Sequence, residues 1–169
     1  MNKAYELAER EVGTVEWANG NNPTVVAYFR DAGHPQVKDD ETAWCAAFVG
    51  AMLHRAGLPK TGKLTARAYL DWGTPVTRAQ AQPGDIVILK RGTSSWQGHV
   101  GFFVRDNGST ITILGGNQNN AVNRRAYKVD GGQLLGIRRL KAVAQPAPAP
   151  TPKVSWLTAL LNAIFGRKS

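Results

Sequence analysis

Apolar residues change their spacing once along this chain, at Pro83-Gly84-Asp85, and that single switch bounds what the chain can fold into. Upstream the period is helical. Ala4, Leu7, Ala8 and Val12 predict a helix over 3–13 that Gly13 can end. After the Asn19-Gly20-Asn21-Asn22-Pro23 loop a second short helix is expected over 24–33. The strongest helix runs from Thr42 to Ala56, with Asp39, Asp40 and Thr42 as N-caps, Gly57 at the C-terminal cap and Pro59 beyond. A fourth is expected from Thr65 to Trp72. Downstream, Ile86–Leu89, His99–Val104, Ile111–Leu114 and Leu135–Leu140 are short β-branched or aromatic runs broken by Gly, Asn, Asp and Ser. They read as an antiparallel meander, with Asp106-Asn107-Gly108-Ser109 as its clearest hairpin turn. Helices first and a small sheet second predict an α+β fold.

Residues 142–153 are an Ala/Pro-rich stretch expected to be an extended linker, so the globular domain is expected to cover 1–141. Beyond it, in 154–169, Trp156, Leu157, Leu160, Leu161, Ile164 and Phe165 fall on one helical face flanked by Lys153, Arg167 and Lys168. This segment is too short for a bilayer span, which takes roughly 20 apolar residues. It suits a cationic amphipathic helix lying in an anionic membrane or lipopolysaccharide surface, or one that folds back on the domain or self-associates.

The formal charge is +9, unevenly spread: residues 1–50 hold 4 Lys and Arg against 8 Asp and Glu, and residues 51–169 hold 17 against 4. A polyanionic partner is expected. The basic residues are scattered rather than interleaved with aromatics, so nucleic acid is not expected, although a basic binding module with an inert cysteine is the competing non-enzymatic reading. The first residues carry three glutamates and no apolar run, which excludes an ordinary secretory signal peptide and predicts synthesis in the cytoplasm. One cysteine excludes an internal disulfide and the common thiolate zinc sites. No cofactor and no metal are expected, and the chain is expected to act as a monomer.

Cys45 falls in the first turn of its predicted helix, where unpaired N–H groups and the helix dipole favour a thiolate. A nucleophilic cysteine needs a base, and three histidines are available. His54 is nine residues along the same helix, about 900° of rotation and so on the opposite face. His34 lies in a polar loop before Pro35. His99 opens a strand on which His99, Gly101 and Phe103 share one face, and a glycine beside the histidine leaves room for a helix end to approach. His99 is therefore the expected base. If Asn107-Gly108 closes the hairpin, Gly116 or Asn117 lies opposite His99, and the odd-length register puts Asn117 directly across as the group that orients the imidazole, with Gln118 and Asn119 as the other choices.

Three blocks carry a family resemblance: Ala43-Trp44-Cys45-Ala46-Ala47-Phe48-Val49, then Gly98-His99-Val100-Gly101-Phe102-Phe103-Val104 with its histidine 54 residues after the cysteine, then Gly115-Gly116-Asn117-Gln118. Together with Pro83-Gly84-Asp85-Ile86-Val87 they resemble the CHAP and NlpC-type cysteine peptidases of the papain-like superfamily. The resemblance implies a compact papain-like domain, Cys45 as nucleophile, His99 as general base and acid, Asn117 as polar third member, and an oxyanion site that includes the Cys45 N–H. Such families often carry a second histidine or a glutamate at the third place, and this chain has neither. The implied substrate is bacterial peptidoglycan, cut at an amide of its stem peptide or at the link to the sugar. Trp44, Trp72, Trp96 and Gln118 are candidates for the substrate groove, each tryptophan being equally suited to core packing. A phage endolysin released to the periplasm through a holin is the leading expectation, and an interbacterial toxin amidase the second.

Overall fold

The computed structural model describes residues 2–140, and the Ala/Pro stretch and the 154–169 segment lie outside them. Three α-helices come first: α1 (Lys3–Arg10), α2 (Pro23–Ala32) and α3 (Cys45–Arg55). Asn2 caps α1 by accepting from the Tyr5 N–H at 2.8 Å, and Asn22 caps α2 with Pro23 in its first turn. Gly33, at φ 103°, ends α2 in the left-handed cap that glycine adopts without strain. The expected fourth helix is a 3₁₀ segment, Ala66–Asp71.

Six strands follow: β1 (Thr74–Val76), β2 (Ile86–Lys90), β3 (Gly98–Asp106), β4 (Thr110–Gly115), β5 (Asn123–Lys128) and β6 (Leu134–Arg139). They form one sheet in the order β1-β6-β2-β3-β4-β5, with every pairing antiparallel. The α+β expectation is borne out, with the helices packed on a small antiparallel sheet. Alternation divides the sheet's apolar residues between two clusters. Ile86, Ile88, Val100, Phe102 and Leu114 join the helices, whereas Val87, Leu89, Phe103, Ile111, Ile113 and Ile137 pack together separately.

The helix α3 is buried along its length from Cys45 to Leu53, with Phe48 set edge-on against Tyr28 and Phe102. A helix apolar all round belongs in a core, and this one is held between α1, α2 and the sheet. Its start differs from expectation: the helix begins at Cys45, not Thr42, and its N-cap, Trp44, makes no side-chain cap. Asp39 is spent on Thr42, whose N–H and hydroxyl both donate to it at 2.8 Å. Asp40 is fully buried and accepts from the Asn22 N–H at 2.8 Å and the Trp17 N–H at 3.2 Å, so it ties down the preceding loop.

The Pro83-Gly84-Asp85 motif is a joint between β2 and β6. Asp85 is buried, accepts from the Gln82 N–H at 2.8 Å and takes both arms of the Arg139 fork at 2.8 Å.

Candidate active site

Helix α3 delivers Cys45 to the wall of a cavity of about 460 Å³, shared with Glu16, Glu41, Arg91, Trp96 and Asn117 among others. The thiol has the N–H groups of Cys45 and Ala46 directed at it from the first helical turn, and the Val100 N–H from β3. The sulfur therefore lies near the backbone of Val100, the residue that directly follows His99. Burial pushes the thiol above its ordinary range, opposed by those N–H groups and by the Arg91 charge.

His99 is buried, and its ring is held by one polar side chain and one aromatic: Nε2 lies 3.0 Å from Gln118 Oε1, and Tyr127 stacks at 5.3 Å between centroids. The Gln118 amide is itself oriented. Its Nε2 donates to the Asn123 backbone carbonyl at 2.6 Å and to Asn123 Oδ1 at 2.9 Å, while Asn123 Nδ2 returns a bond to the Gln118 carbonyl at 2.7 Å. With the amide nitrogen committed to two acceptors, Gln118 presents its oxygen to the imidazole, so His99 Nε2 must be the donor. The neutral ring then carries its lone pair on Nδ1, the nitrogen nearer its own backbone. Burial, with the Arg91 and Arg125 charges adding to it against the Gln118 bond, brings the His99 pKa down to about 4. The resting pair is a neutral thiol and a neutral imidazole.

Asn117 does not face His99. The register Phe103↔Ile113 and Phe102↔Leu114, extended, would reach it from His99, but β4 stops at Gly115. Asn117, at φ 55°, leaves the strand direction, and with its amide turned so that the oxygen faces donors, that oxygen accepts from the Trp44 backbone N–H at 3.2 Å. A tight turn then follows, closed by the Gln118 N–H to the Ala121 carbonyl at 3.0 Å, with both central residues at positive φ: Asn119 at 54° and Asn120 at 57°. That turn swings Gln118 back under the imidazole and pairs Gly115 with Asn123 in β5. The assignment of Asn117 as the orienting group is thus corrected to Gln118.

Other placements are mixed. Trp44 is fully buried against Tyr28 and Phe48, with its indole N–H donating to Glu16, so it is core rather than groove lining. Trp72 donates to the Pro59 carbonyl at 2.9 Å and borders a different cavity with Thr61 and Asp71, away from Cys45. Trp96 does line the Cys45 cavity and is 66% exposed. His54 is exposed on the far face of α3, as its spacing required, and His34 bonds the Gly62 carbonyl at 3.0 Å. The room for the helix end comes from a glycine other than the expected one. A Cβ on Gly101 would meet Ile113 and the Leu114 carbonyl of the neighbouring strand, whereas a Cβ on Gly116 would lie 2.4–2.7 Å from Trp44 and Phe48. Sequence reasoning missed Asn123, Arg91, Arg125 and Glu16, which lie in no motif and reach the site only through tertiary pairing. Among the described residues no group of three His, Cys, Asp or Glu is arranged to hold a metal ion.

Residues 36–117 match the family model of the CHAP domain. In the solved structures, the endolysin LysIME-EF1 matches with a TM-score of 0.52 at 18% identity, over 82% of this chain and 63% of that one. An NLP/P60-family protein of Staphylococcus aureus, described as similar to lipoprotein, matches with a TM-score of 0.48 at 14% identity, over 83% of this chain and 41% of that one. A mutated form of the Resuscitation Promoting Factor interacting protein RipA matches with a TM-score of 0.45 at 16% identity, over 80% and 61%. This chain spans less than two thirds of the length of each. The endolysin likeness shows that the fold is shared. No curated protein matches the sequence.

Proposed function

We propose that this CHAP-type chain is a cysteine-dependent peptidoglycan hydrolase in which Cys45 attacks an amide carbonyl of the stem peptide or of its link to the sugar. The observation that carries the reading is a thiol at the start of α3 on a cavity wall, near the backbone of the residue that follows His99, together with an imidazole whose tautomer is set by Gln118. The CHAP match over the Cys and His blocks points the same way.

Because thiol and imidazole are both neutral at rest, the proton moves during attack rather than before it. His99 Nδ1 takes the Cys45 proton as the sulfur bonds to the carbonyl carbon. Nε2–H stays on Gln118, which accepts from the ring in both its neutral and charged forms. The oxyanion develops near the Cys45 N–H at the start of α3, where the helix leaves that donor unpaired. Collapse breaks the C–N bond, and Nδ1 returns the proton to the leaving amine. Water, deprotonated by the same nitrogen, then hydrolyses the thioester. Trp96, exposed on the cavity wall, offers a flat face to sugar or peptide.

Purified sacculi provide the test. The wild-type chain should lower their turbidity, with Cys45→Ala and His99→Ala inactive, and mass spectrometry of the digest identifies the bond. Equal clearing by wild type and Cys45→Ala would remove the enzymatic reading. We further propose that residues 1–141 act as the cutting domain and that the 154–169 segment, with its apolar stripe and flanking cations, contacts an anionic envelope surface.

A further inference from the structure

Adjoining the thiol's cavity, and sharing Arg91 and Asn117 with it, is a second cavity of about 230 Å³, whose walls include Lys90, Gln118, Arg125 and Tyr127 together with His99 itself. No aspartate or glutamate lines it. Arg125 sits 5.5 Å from the Tyr127 ring centroid and donates to the neutral Asn119 Oδ1 at 2.6 Å. Neither Arg91 nor Arg125 is ion-paired among the described residues, although Arg124, the neighbour of Arg125, pairs with Glu9. Arg91 borders both cavities and so stands where they adjoin. Two guanidinium groups with no counter-anion beside a buried imidazole are unfavourable to the imidazolium that forms during catalysis. A bound anion would relieve that cost while occupying both arginines.

The direction of the chemistry says which part of the substrate reaches this cavity. His99 returns its proton to the leaving amine, so the amine-bearing fragment lies on the His99 side of the scissile bond, with Arg91, which borders both cavities, within its path. We propose that Arg91 and Arg125 form an anion subsite that binds a free carboxylate on the fragment whose amine is released. This rests on the hydrolase reading above for its substrate, but the subsite is defined by its own cavity and charges. A peptide with that carboxyl amidated loses the charge the subsite recognises.

The probe is L-alanyl-γ-D-glutamyl-L-lysine with both carboxyls free, compared with the same peptide with both amidated. Each is titrated by calorimetry into the full-length Cys45→Ser protein, which binds without turnover. The free-carboxyl peptide should bind about tenfold tighter at low salt, with the advantage shrinking as ionic strength rises. Adding Arg91→Gln or Arg125→Gln should bring the ratio toward one. Arg125→Lys should retain part of it, since the ammonium keeps the charge without the fork. Equal binding of the two peptides, undetectable binding of both, or discrimination that survives both glutamine variants overturns the subsite. The parent reading fails separately: carboxyl discrimination in a chain that clears no sacculi leaves the subsite standing and removes the hydrolase, while clearing without discrimination does the reverse.

Discussion

His99 sits in an environment far from that of an ordinary histidine. Its pKa in the folded chain is about 4, against roughly 6.5 in an unfolded one. Below about pH 6.5 the unfolded chain therefore takes up a proton that the folded chain refuses, and stability falls as pH drops from there toward 4. The full loss from this one group is roughly 3 kcal/mol. Urea denaturation of wild type and His99→Gln across that range checks it: the wild-type slope should be the steeper by this contribution. For the same reason the acidic limb of kcat/KM should lie near pH 4, not near 6.5. Replacing Gln118 by Leu takes away the acceptor that holds Nε2–H and that favours the protonated ring. We expect kcat to fall on the order of 100-fold, with the acidic limb moving lower rather than higher. A purely structural Gln118 would leave that limb in place.

At the scale of elements, the site is made by the meeting of the α3 start with the β4–β5 turn. Gly116 stands where a Cβ would overlap the Trp44 ring and the Phe48 Cβ, both on a fully buried helix end. Gly116→Ala should therefore cost about 1–3 kcal/mol, read as a lower urea midpoint, because neither ring has space to retreat. A change within about 0.5 kcal/mol would mean that the α3 start can slide away from the turn. Asn123→Ala tests the other half of the device. Gln118 keeps only the backbone carbonyl as an acceptor for its Nε2, so its amide is freer to rotate, and activity should drop on the order of tenfold with stability changed by about 1 kcal/mol. Both elements were partly legible. The Asn-Gly turn and the apolar alternation of β3 are local patterns, and they announce a hairpin. The observed hairpin centres on Gly108-Ser109, with Asn107 N–H donating to the Thr110 carbonyl, and an irregularity between Phe103 and Arg105 restores the register that reaches Asn117. What no local pattern reports is that β4 ends two residues before that point.

For the molecule as a whole, the described fold closes between Asn2, whose amide donates to the Gly84 carbonyl at 2.9 Å, and β6, held by the Arg139–Asp85 fork. A chain truncated after Leu140 should therefore unfold cooperatively with a midpoint close to that of the full chain, measured by thermal circular dichroism. If the segment beyond Lys141 is an envelope contact, the truncation should clear purified sacculi as well as the full chain does and kill intact cells less well. Equal killing by both forms would remove the envelope proposal.

Sequence alone determined that helices precede the four longest-patterned strands, that the Cys45 helix is buried, and that His54 is excluded, because each depends on periodicity along one element, whereas β1 and β5 carry no such pattern. It also singled out Cys45 and His99 as candidates, since a cysteine at a helix start and a histidine at a strand start are local features. Only the tertiary structure decided which side chain holds the imidazole, which glycine admits the helix and which arginines flank the site. Those depend on where one strand stops and on which residues a turn at positive φ brings back, and a shift of one residue exchanges Asn117 for Gln118.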